Sequence, residues 1–345
     1  MSEAHEYKGK GLTGLANLGN TCFINSCIQL LSHTYELNDF LSSGEYKKKL
    51  NKKVDSVLLI EWDKLRQMMW SENCTISPGG FVQAVQKVAK IKNKDLFTGW
   101  AQNDLPEFLL FLTDCFHNAM MREVDMNIVG TVKTRKDRLA KSCYEMMSNM
   151  YKKEYSEFLN IFYGIHVSKI SSVKTNKELS FCPEPFFMID VPIPNIKMPT
   201  LFDCFDVHCQ NETLEGENAW YNDKTKEKED VNKRIIFWSL PNIMVIDIKR
   251  FNEMGRKNQV PIQIPQKDVN FSRYVEGYDK DSYIYDLYGV CNHMGGVLGG
   301  HYTASVKNAN GKWYTFNDTN VSEFNMPDDF TSNYAYCLFY RKKKK

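Results

Sequence analysis

Cysteine pairs at metal-binding spacing are absent from this sequence. Its ten cysteines are spread from Cys22 to Cys337, and no two of them form a Cys-x-x-Cys step. Structural zinc sites use such close pairs, and small secreted proteins use dense cysteine clusters for disulfides. The sequence therefore predicts no metal and no other cofactor. It fits a reducing compartment, with the cytosol, the nucleus or both left open.

Long hydrophobic runs and a strong charge of one sign are also missing. No stretch approaches the ~20 apolar residues that a membrane helix needs, and the start lacks the apolar segment of a signal peptide. The formal net charge is +2, whereas proteins that bind duplex nucleic acid usually carry a basic stripe. We therefore expect no membrane anchor and no nucleic-acid partner. Residues 341–345 could be a nuclear signal, but a solvated basic tail is the preferred interpretation.

Apolar residues recur at helical spacing in the first half of the chain. From Cys22 they give one apolar face, after a polar, Gly-containing turn and with Thr21 as a cap. This places Cys22 at a helix N-terminus, where the dipole favours a thiolate, and the polar turn predicts partial exposure. The alternative is the usual state of a free cysteine, a small buried side chain. Further helices are predicted from Asp104 and within residues 131–160.

The second half of the chain carries strand patterns. Short apolar runs and alternating polar and apolar residues predict strands there, and Asn310-Gly311 is a strong hairpin signal. The predicted strands lie at residues 186–191, 243–248, 302–307, 313–316 and 334–340. Helices first and antiparallel strands later predict an α+β fold rather than a doubly wound sheet.

Two segments near opposite ends of the chain carry what a cysteine protease needs. The Cys box, residues 14–26, contains Cys22, and the His box, residues 299–304 with 313–318, contains His301. A thiol nucleophile needs an imidazole base, which in turn needs a polar group to orient it. His301 is favoured over His293 as the base, because it opens the strand whose hairpin partner ends at Asn317.

These two boxes resemble those of the ubiquitin-specific proteases, which are papain-like deubiquitinating enzymes. Residues 102–109 resemble the family's Gln-rich helix start, and residues 240–251 resemble its "LP…LKRF" strand. The resemblance covers the chain from about residue 12 to residue 341. It implies a papain-like fold with a helical thumb carrying Cys22, a β-rich palm carrying His301, and extended β fingers between them.

The same resemblance implies a domain layout. One catalytic domain spans residues 11–341, with the thumb at about 11–160 and the fingers and palm at about 161–341. Residues 1–10 form an N-terminal tail and residues 342–345 a basic C-terminal tail. We expect a monomer.

The resemblance also assigns roles within the catalytic site. Asn17 matches the position whose side-chain amide supports the oxyanion hole, where a donor would face the developing negative charge. Asn317 matches the third member of the triad, with Asp318 as a neighbour that could share or replace that role. Asn17, Asn317 and Asp318 are also common turn residues, so a purely local role is the alternative for each.

The expected substrate-binding residues surround the same cleft. Ubiquitin ends in arginine and glycine residues on an extended tail, and Asp104 matches a family position that contacts it. A carboxylate there can pair with a guanidinium, although N-capping explains Asp104 equally well. Gly295-Gly296 and Gly299-Gly300 would give the glycine-rich loop that contains them the freedom to close over the tail. Gln102 and Tyr302 complete the expected set.

The fingers depart from the family pattern. Many members carry two Cys-x-x-Cys pairs there for zinc, but those positions fall near Ser172 with Thr175 and near Asn222 with Thr225. The nearby Cys204, His208 and Cys209 have poor spacing for zinc and no supporting second pair. We therefore expect fingers that are held by strand packing alone.

The leading hypothesis is a deubiquitinating cysteine protease that acts on ubiquitin and ubiquitinated proteins. Cys22 would form a thioester with the C-terminal glycine of ubiquitin, and His301 would serve as general acid and base. Two alternatives are an inactive ubiquitin-binding module and a protease for another ubiquitin-like modifier. The intact set of catalytic residues argues against the first alternative.

Overall fold

The computed structural model describes residues 5–223, 225–296 and 299–344. Within these residues, helices dominate up to Phe162 and strands dominate from Gly164 onward. The predicted α+β order and its change near residue 160 are therefore confirmed. Residues 1–4 of the predicted N-terminal tail and Lys345 of the predicted basic tail lie outside the described residues.

Most helices lie in the first half of the chain, and the last one in chain order packs on the palm. In chain order they are α1 (Cys22–Ser32), α2 (Tyr35–Ser42), α3 (Glu45–Lys49), α4 (Asp55–Ser71), α5 (Gly79–Ile91), α6 (Leu105–Met120), α7 (Arg135–Glu154), α8 (Phe158–Phe162) and α9 (Leu201–His208). One or two helices were predicted within residues 131–160. Helix α7 lies there, and α8 begins there and ends at Phe162. Every residue of α1 is buried, so this helix is more enclosed than one apolar face implies.

The two helix starts that border the predicted site differ in their capping. Asp104 caps α6, because its carboxylate accepts the Glu107 backbone N–H at 3.1 Å, and Pro106 lies in the first turn as expected. Thr21 does not cap α1. Its hydroxyl instead accepts the Leu18 backbone N–H at 2.9 Å, which tightens the turn before the helix.

Most strands belong to the fingers and the palm. In chain order the strands are β1 (Gly14–Leu15), β2 (Thr75–Ile76), β3 (Gly164–Ser172), β4 (Glu178–Phe186), β5 (Met188–Pro192), β6 (Glu212–Leu214), β7 (Trp220–Asn222), β8 (Glu227–Glu229), β9 (Val231–Ser239), β10 (Ile243–Lys249), β11 (Ile262–Gln263), β12 (Val269–Asn270), β13 (Ile284–Gly296), β14 (Gly299–Lys307), β15 (Trp313–Asn317), β16 (Asn320–Phe324), β17 (Thr331–Ser332) and β18 (Ala335–Lys342).

The palm is an eight-stranded sheet in the order β16-β15-β14-β13-β18-β10-β5, with β12 beside β13. Helix α1 packs on β13, β14 and β15, while α9 packs on β5. Both faces of the sheet are thus covered by apolar cores. The fingers are a four-stranded antiparallel sheet, β4-β3-β9-β6, with the small β7-β8 hairpin and with α7 against β4.

Covering both faces changes the expected pattern of β14. Tyr302, Ala304 and Val306 are buried as predicted, but Thr303 and Ser305 are also only 6% exposed. The alternation of β14 therefore does not separate a core face from a solvent face. The hairpin turn before β15 is confirmed, since Gly311 has a φ of +86° and donates its N–H to the Asn308 carbonyl.

The prediction of one strand over residues 186–191 is wrong. The apolar run 186–191 is two strands, because β4 ends at Phe186 in the fingers and β5 begins at Met188 in the palm. The strands predicted at 243–248 and near the C-terminal end are confirmed as β10 and β18. Apolar character alone could not show where the chain leaves one sheet for another.

Candidate active site

Cys22 is the first residue of α1 and lies under β14. The side chain is only 2% exposed, so the predicted partial exposure is wrong. Strand β14 packs on α1. The backbone N–H of Tyr302, the residue after His301, donates a hydrogen bond to the Cys22 sulfur. The fold therefore brings the Cys box and the His box together.

Burial raises the pKa of the Cys22 thiol above its usual value. The Asp318 carboxylate adds to this rise, whereas hydrogen bonds from the backbone N–H groups of Tyr302, Phe23 and Cys22 oppose it. The helix start does favour the thiolate, as expected, but desolvation outweighs it. A base is therefore needed to remove the thiol proton at neutral pH.

His301 and Asn317 form the second part of the site. The ring nitrogen Nε2 of His301 lies 2.6 Å from the side-chain oxygen of Asn317. An amide oxygen can only accept, so this contact fixes the proton on Nε2 and leaves Nδ1 as the basic nitrogen. The predicted hairpin route is also seen, because β15 pairs with β14 up to the Ala304–Phe316 register and ends at Asn317.

Asp318 has a different task from Asn317. Its carboxylate accepts the side-chain amides of Asn17 at 3.0 Å and Asn25 at 2.8 Å, and no hydrogen bond joins it to His301 within the described residues. Asp318 follows the last residue of β15 and has a φ of 51°, in the left-handed region. In this structure Asn317 contacts the imidazole, and Asp318 ties the hairpin to the Cys box.

Asn17 is held from both ends of its amide. Its NH₂ group donates to Asp318, and its oxygen accepts the backbone N–H groups of Gly19 at 3.0 Å and Thr21 at 3.2 Å. The turn role and the donor role are therefore combined in one side chain. Among the described residues this NH₂ group makes no second hydrogen bond, and its role as a donor to an oxyanion stays a prediction.

Gln102 links the thumb to the palm beside His301. Its side-chain NH₂ donates to the Gly300 carbonyl at 2.8 Å, and its side-chain oxygen accepts the Gly300 N–H at 2.9 Å. The side chain thus pairs with β14 as a strand would. Gly299 is exposed next to it, while residues 297 and 298 of the predicted glycine-rich loop lie outside the described residues.

Comparison with known proteins agrees with this arrangement. Residues 13–340 match the family model described as ubiquitin carboxyl-terminal hydrolase. The chain belongs to this family. The resemblance to ubiquitin-specific proteases is confirmed.

Individual relatives extend the comparison. The Drosophila melanogaster ubiquitin carboxyl-terminal hydrolase Usp2 is 32% identical over 99% of this chain, which spans 36% of that protein. The human ubiquitin carboxyl-terminal hydrolase 2 is 31% identical over 96% of this chain, which spans 55% of that protein. The chain thus covers only part of the length of these relatives.

Solved structures support the fold. The SAGA Ubp8/Sgf11/Sus1/Sgf73 DUB module bound to ubiquitin aldehyde aligns with a TM-score of 0.74 at 23% identity. That alignment covers 100% of this chain and 72% of the solved one. The thumb, palm and fingers expected for a ubiquitin-specific protease are therefore present.

The expected substrate-binding residues differ in how open they are. Asp104 accepts the Tyr336 hydroxyl at 2.6 Å as well as its capping N–H, and burial raises the pKa of its carboxyl. Tyr302 is 7% exposed, with its ring against His293. Asp104 thus lines the cleft with both oxygens already in contact, and the Tyr302 ring is part of the core rather than an open contact surface.

Three further residues were missed by sequence reasoning. Asn25 binds Asp318, Tyr336 binds Asp104, and Asp247 on β10 lies in the parallel register next to Asp190 on β5. Burial and the two neighbouring carboxyl groups, Asp190 and Asp104, raise the pKa of Asp247 to about 8. The one available signal was a polar residue inside an apolar run, as at Asn25 and Asp247.

Metal-ligand side chains converge at one place in the part of the chain that is described. Asp55, Asp114 and Cys115 lie together there, but the Lys92 ammonium already contacts Asp55 at 2.6 Å and Asp114 at 3.1 Å. A divalent cation would have to displace that charge. Cys182 is exposed on β4 of the fingers, whereas Cys204 is buried on α9 against the palm, and the absence of a metal stays a prediction.

Among the described residues, no helix has both the length and the apolar character needed to cross a membrane.

Proposed function

We propose that this chain is a cysteine protease that hydrolyses the peptide or isopeptide bond after the C-terminal glycine of ubiquitin. The observation that carries the proposal is the His301–Asn317 contact of 2.6 Å on the strand that covers Cys22. Ubiquitin is proposed as the substrate because the chain belongs to the ubiquitin carboxyl-terminal hydrolase family.

The geometry supports a two-step reaction. His301 Nδ1 takes the thiol proton, and the Cys22 thiolate attacks the carbonyl carbon of the terminal glycine. The negative charge then develops on the carbonyl oxygen, where the free N–H of Asn17 can donate to it. The imidazolium returns its proton to the departing lysine amine, which leaves a thioester on Cys22. Water, deprotonated by His301, then hydrolyses the thioester and releases ubiquitin.

The cleft between thumb and palm is suited to an extended tail. Gly299 has no side chain to obstruct the approach to His301, and it lies exposed at the start of β14. Asp104 matches the family position that contacts the tail, and a carboxylate there can pair with an arginine of that tail. Ubiquitin and ubiquitinated proteins are therefore the proposed partners. The solved neighbour contains further subunits, so a monomer stays a prediction.

A fluorogenic substrate made of ubiquitin with a C-terminal amide reporter tests the activity. The wild-type chain should release the reporter, and Cys22→Ala should release none while still binding ubiquitin. A wild-type chain that binds ubiquitin without turnover would instead identify an inactive binding module. Covalent probes built on ubiquitin and on other ubiquitin-like modifiers, compared side by side, decide between substrates. Labelling should map to Cys22 among the ten cysteines and should be fastest with ubiquitin.

A further inference from the structure

The strand beside His301 loses its outer partner near the active site. The register between β13 and β18 ends at the pair Asn292–Ala335, and the next N–H, that of His293, reaches the Tyr334 carbonyl at 2.9 Å. The carbonyls of His293 and of Gly295 face the same side of the strand, because alternate residues of a strand repeat their direction. No strand of the described chain covers them there.

This uncovered stretch lies directly behind the base. Met294 pairs with His301, and Gly295 pairs with Gly300, in the register between β13 and β14. A displacement of the end of β13 would therefore also displace His301, because the two strands are hydrogen-bonded at these pairs. The support of β13 is therefore relevant to the position of the imidazole.

The Lys257 side chain fills the place of the missing strand. Its Nζ lies 2.6 Å from the His293 carbonyl oxygen, 3.4 Å from the Gly295 carbonyl oxygen and 3.2 Å from Nδ1 of the His293 ring. A lysine ammonium has three N–H donors and accepts nothing, so all three contacts are donated. Lys257 is thus fully engaged on β13 and its histidine.

The His293 ring, which Lys257 contacts, packs against Gly300 and Tyr302, the two residues that flank His301. The ring is 4% exposed and its centroid lies 4.4 Å from that of Tyr302. A Cβ built on Gly300 would stand 2.3 Å from Nε2 of His293, so the ring occupies the space over that glycine. Because Nδ1 accepts from Lys257, the ring proton is on Nε2. Burial, and then the Lys257 charge, lower the pKa of His293 to about 4.

Arg250 holds the loop that presents Lys257. Its guanidinium is 1% exposed and donates to the carbonyls of Asn258 at 3.1 Å and Val260 at 3.0 Å within that loop. It also reaches the Ala335 carbonyl at 2.6 Å, at the start of β18. The part of the loop that follows Lys257 is therefore anchored to the palm.

We propose that Lys257 is a positioning residue for catalysis, which acts through His293 to keep Gly300, His301 and Tyr302 in register over Cys22. The inference rests on the proposed function for its activity assay, but its contacts are independent of the substrate.

The test compares Lys257→Met with Lys257→Arg and with Lys267→Met, whose side chain is exposed elsewhere in the palm. Lys257→Met keeps the aliphatic stem and removes all three donors. With the ubiquitin reporter, kcat should fall roughly ten-fold while KM stays within about two-fold, because the loss is one of geometry. Lys257→Arg should restore part of kcat, and Lys267→Met should match the wild type.

A second measurement begins with the wild type, so its first result does not depend on the folding of a variant. Nitrogen-15 NMR of the wild-type imidazoles should show His293 neutral, with its proton on Nε2, from pH 5 to pH 8. In Lys257→Met the pKa of His293 should rise, because the lysine charge is lost, but burial should keep it below the ordinary value for histidine. A wild-type His293 with its proton on Nδ1 would overturn the proposal. An unchanged kcat in Lys257→Met, or a change in KM alone, would also overturn it. An inactive wild type refutes the proposed function instead, and leaves the NMR result to decide this inference.

Discussion

Asp318→Asn is the substitution that best separates the two polar residues at the end of the hairpin. The shape of the side chain is kept and its charge is lost. The Asp318 carboxylate accepts two amides, from Asn17 and Asn25, with one oxygen for each. An amide has one oxygen, so in the variant one of the two donors must face another NH₂ group.

The expected loss follows from that single broken contact. A hydrogen bond to a charged group contributes about 1.5–3 kcal/mol. If the loss falls on Asn17, its amide leaves the position from which it can donate to the oxyanion, and kcat should fall about 10-fold to 100-fold. The thiol should respond in the opposite direction. Asp318 raises the pKa of Cys22, so removing its charge should lower that pKa.

Two assays on this variant therefore test two separate expectations, a lower kcat and a lower pKa of Cys22. Turnover of the ubiquitin reporter should drop, whereas the pH midpoint for alkylation of Cys22 by iodoacetamide, followed by mass spectrometry, should move to lower pH. Asp329→Asn, at an exposed aspartate beyond β16, is the matched control and should change neither. Wild-type turnover in Asp318→Asn would refute the role given to Asp318. An alkylation midpoint that moves to higher pH would refute the electrostatic argument.

Three further predictions concern the base, the buried Asp247 and metal binding. His301→Ala should lower kcat by ~10²–10⁴-fold, as expected for loss of general acid–base help, whereas His166→Ala in the fingers should have little effect; similar losses from both would remove His301 as the base. Because the pKa of Asp247 is raised to about 8, the native state holds this proton more tightly than the unfolded chain, and stability should fall as pH rises from about 4 to about 8. Urea unfolding at pH 5 and pH 8.5 measures the difference in the free energy of unfolding between these pH values. This difference should be smaller in Asp247→Asn than in the wild type, and an equal difference would contradict the raised pKa. Elemental analysis should find no stoichiometric zinc, and chelators should leave the melting temperature unchanged; one zinc per chain would mean that the finger cysteines bind metal after all.

The sequence predicted the site well where a local pattern carries the chemistry. Cys22 at the start of a helix, His301 at the start of a strand and Asn317 at the end of its hairpin partner all follow from spacing that is short in sequence. A hairpin fixes its own register through the turn, so the His301–Asn317 contact needed no knowledge of the rest of the fold. The order of helices before strands was equally local.

Other expectations failed because they depended on contacts between distant segments. The exposure of Cys22 was misjudged, since a strand almost three hundred residues later covers it. The run 186–191 is divided between two sheets, and nothing within those residues marks the crossing. Lys257 gave no signal at all, because its partners are backbone carbonyls of another strand, and carbonyl groups are the same in every sequence.

The Cys box and the His box meet at a point that the triad itself does not reveal. The backbone N–H of Leu15 donates to the Asp318 carbonyl at 2.9 Å, and a Cβ on Gly14 would lie 2.3 Å from the Thr319 carbonyl oxygen. The hairpin end can approach β1 this closely only because residue 14 is glycine. Together with the Asn17 and Asn25 contacts, this places the Asp318 turn against the segment that leads into Cys22. The position of the nucleophile relative to its base is therefore set by packing of the hairpin turn on the Cys box, and the glycine that opens the box is required for that packing.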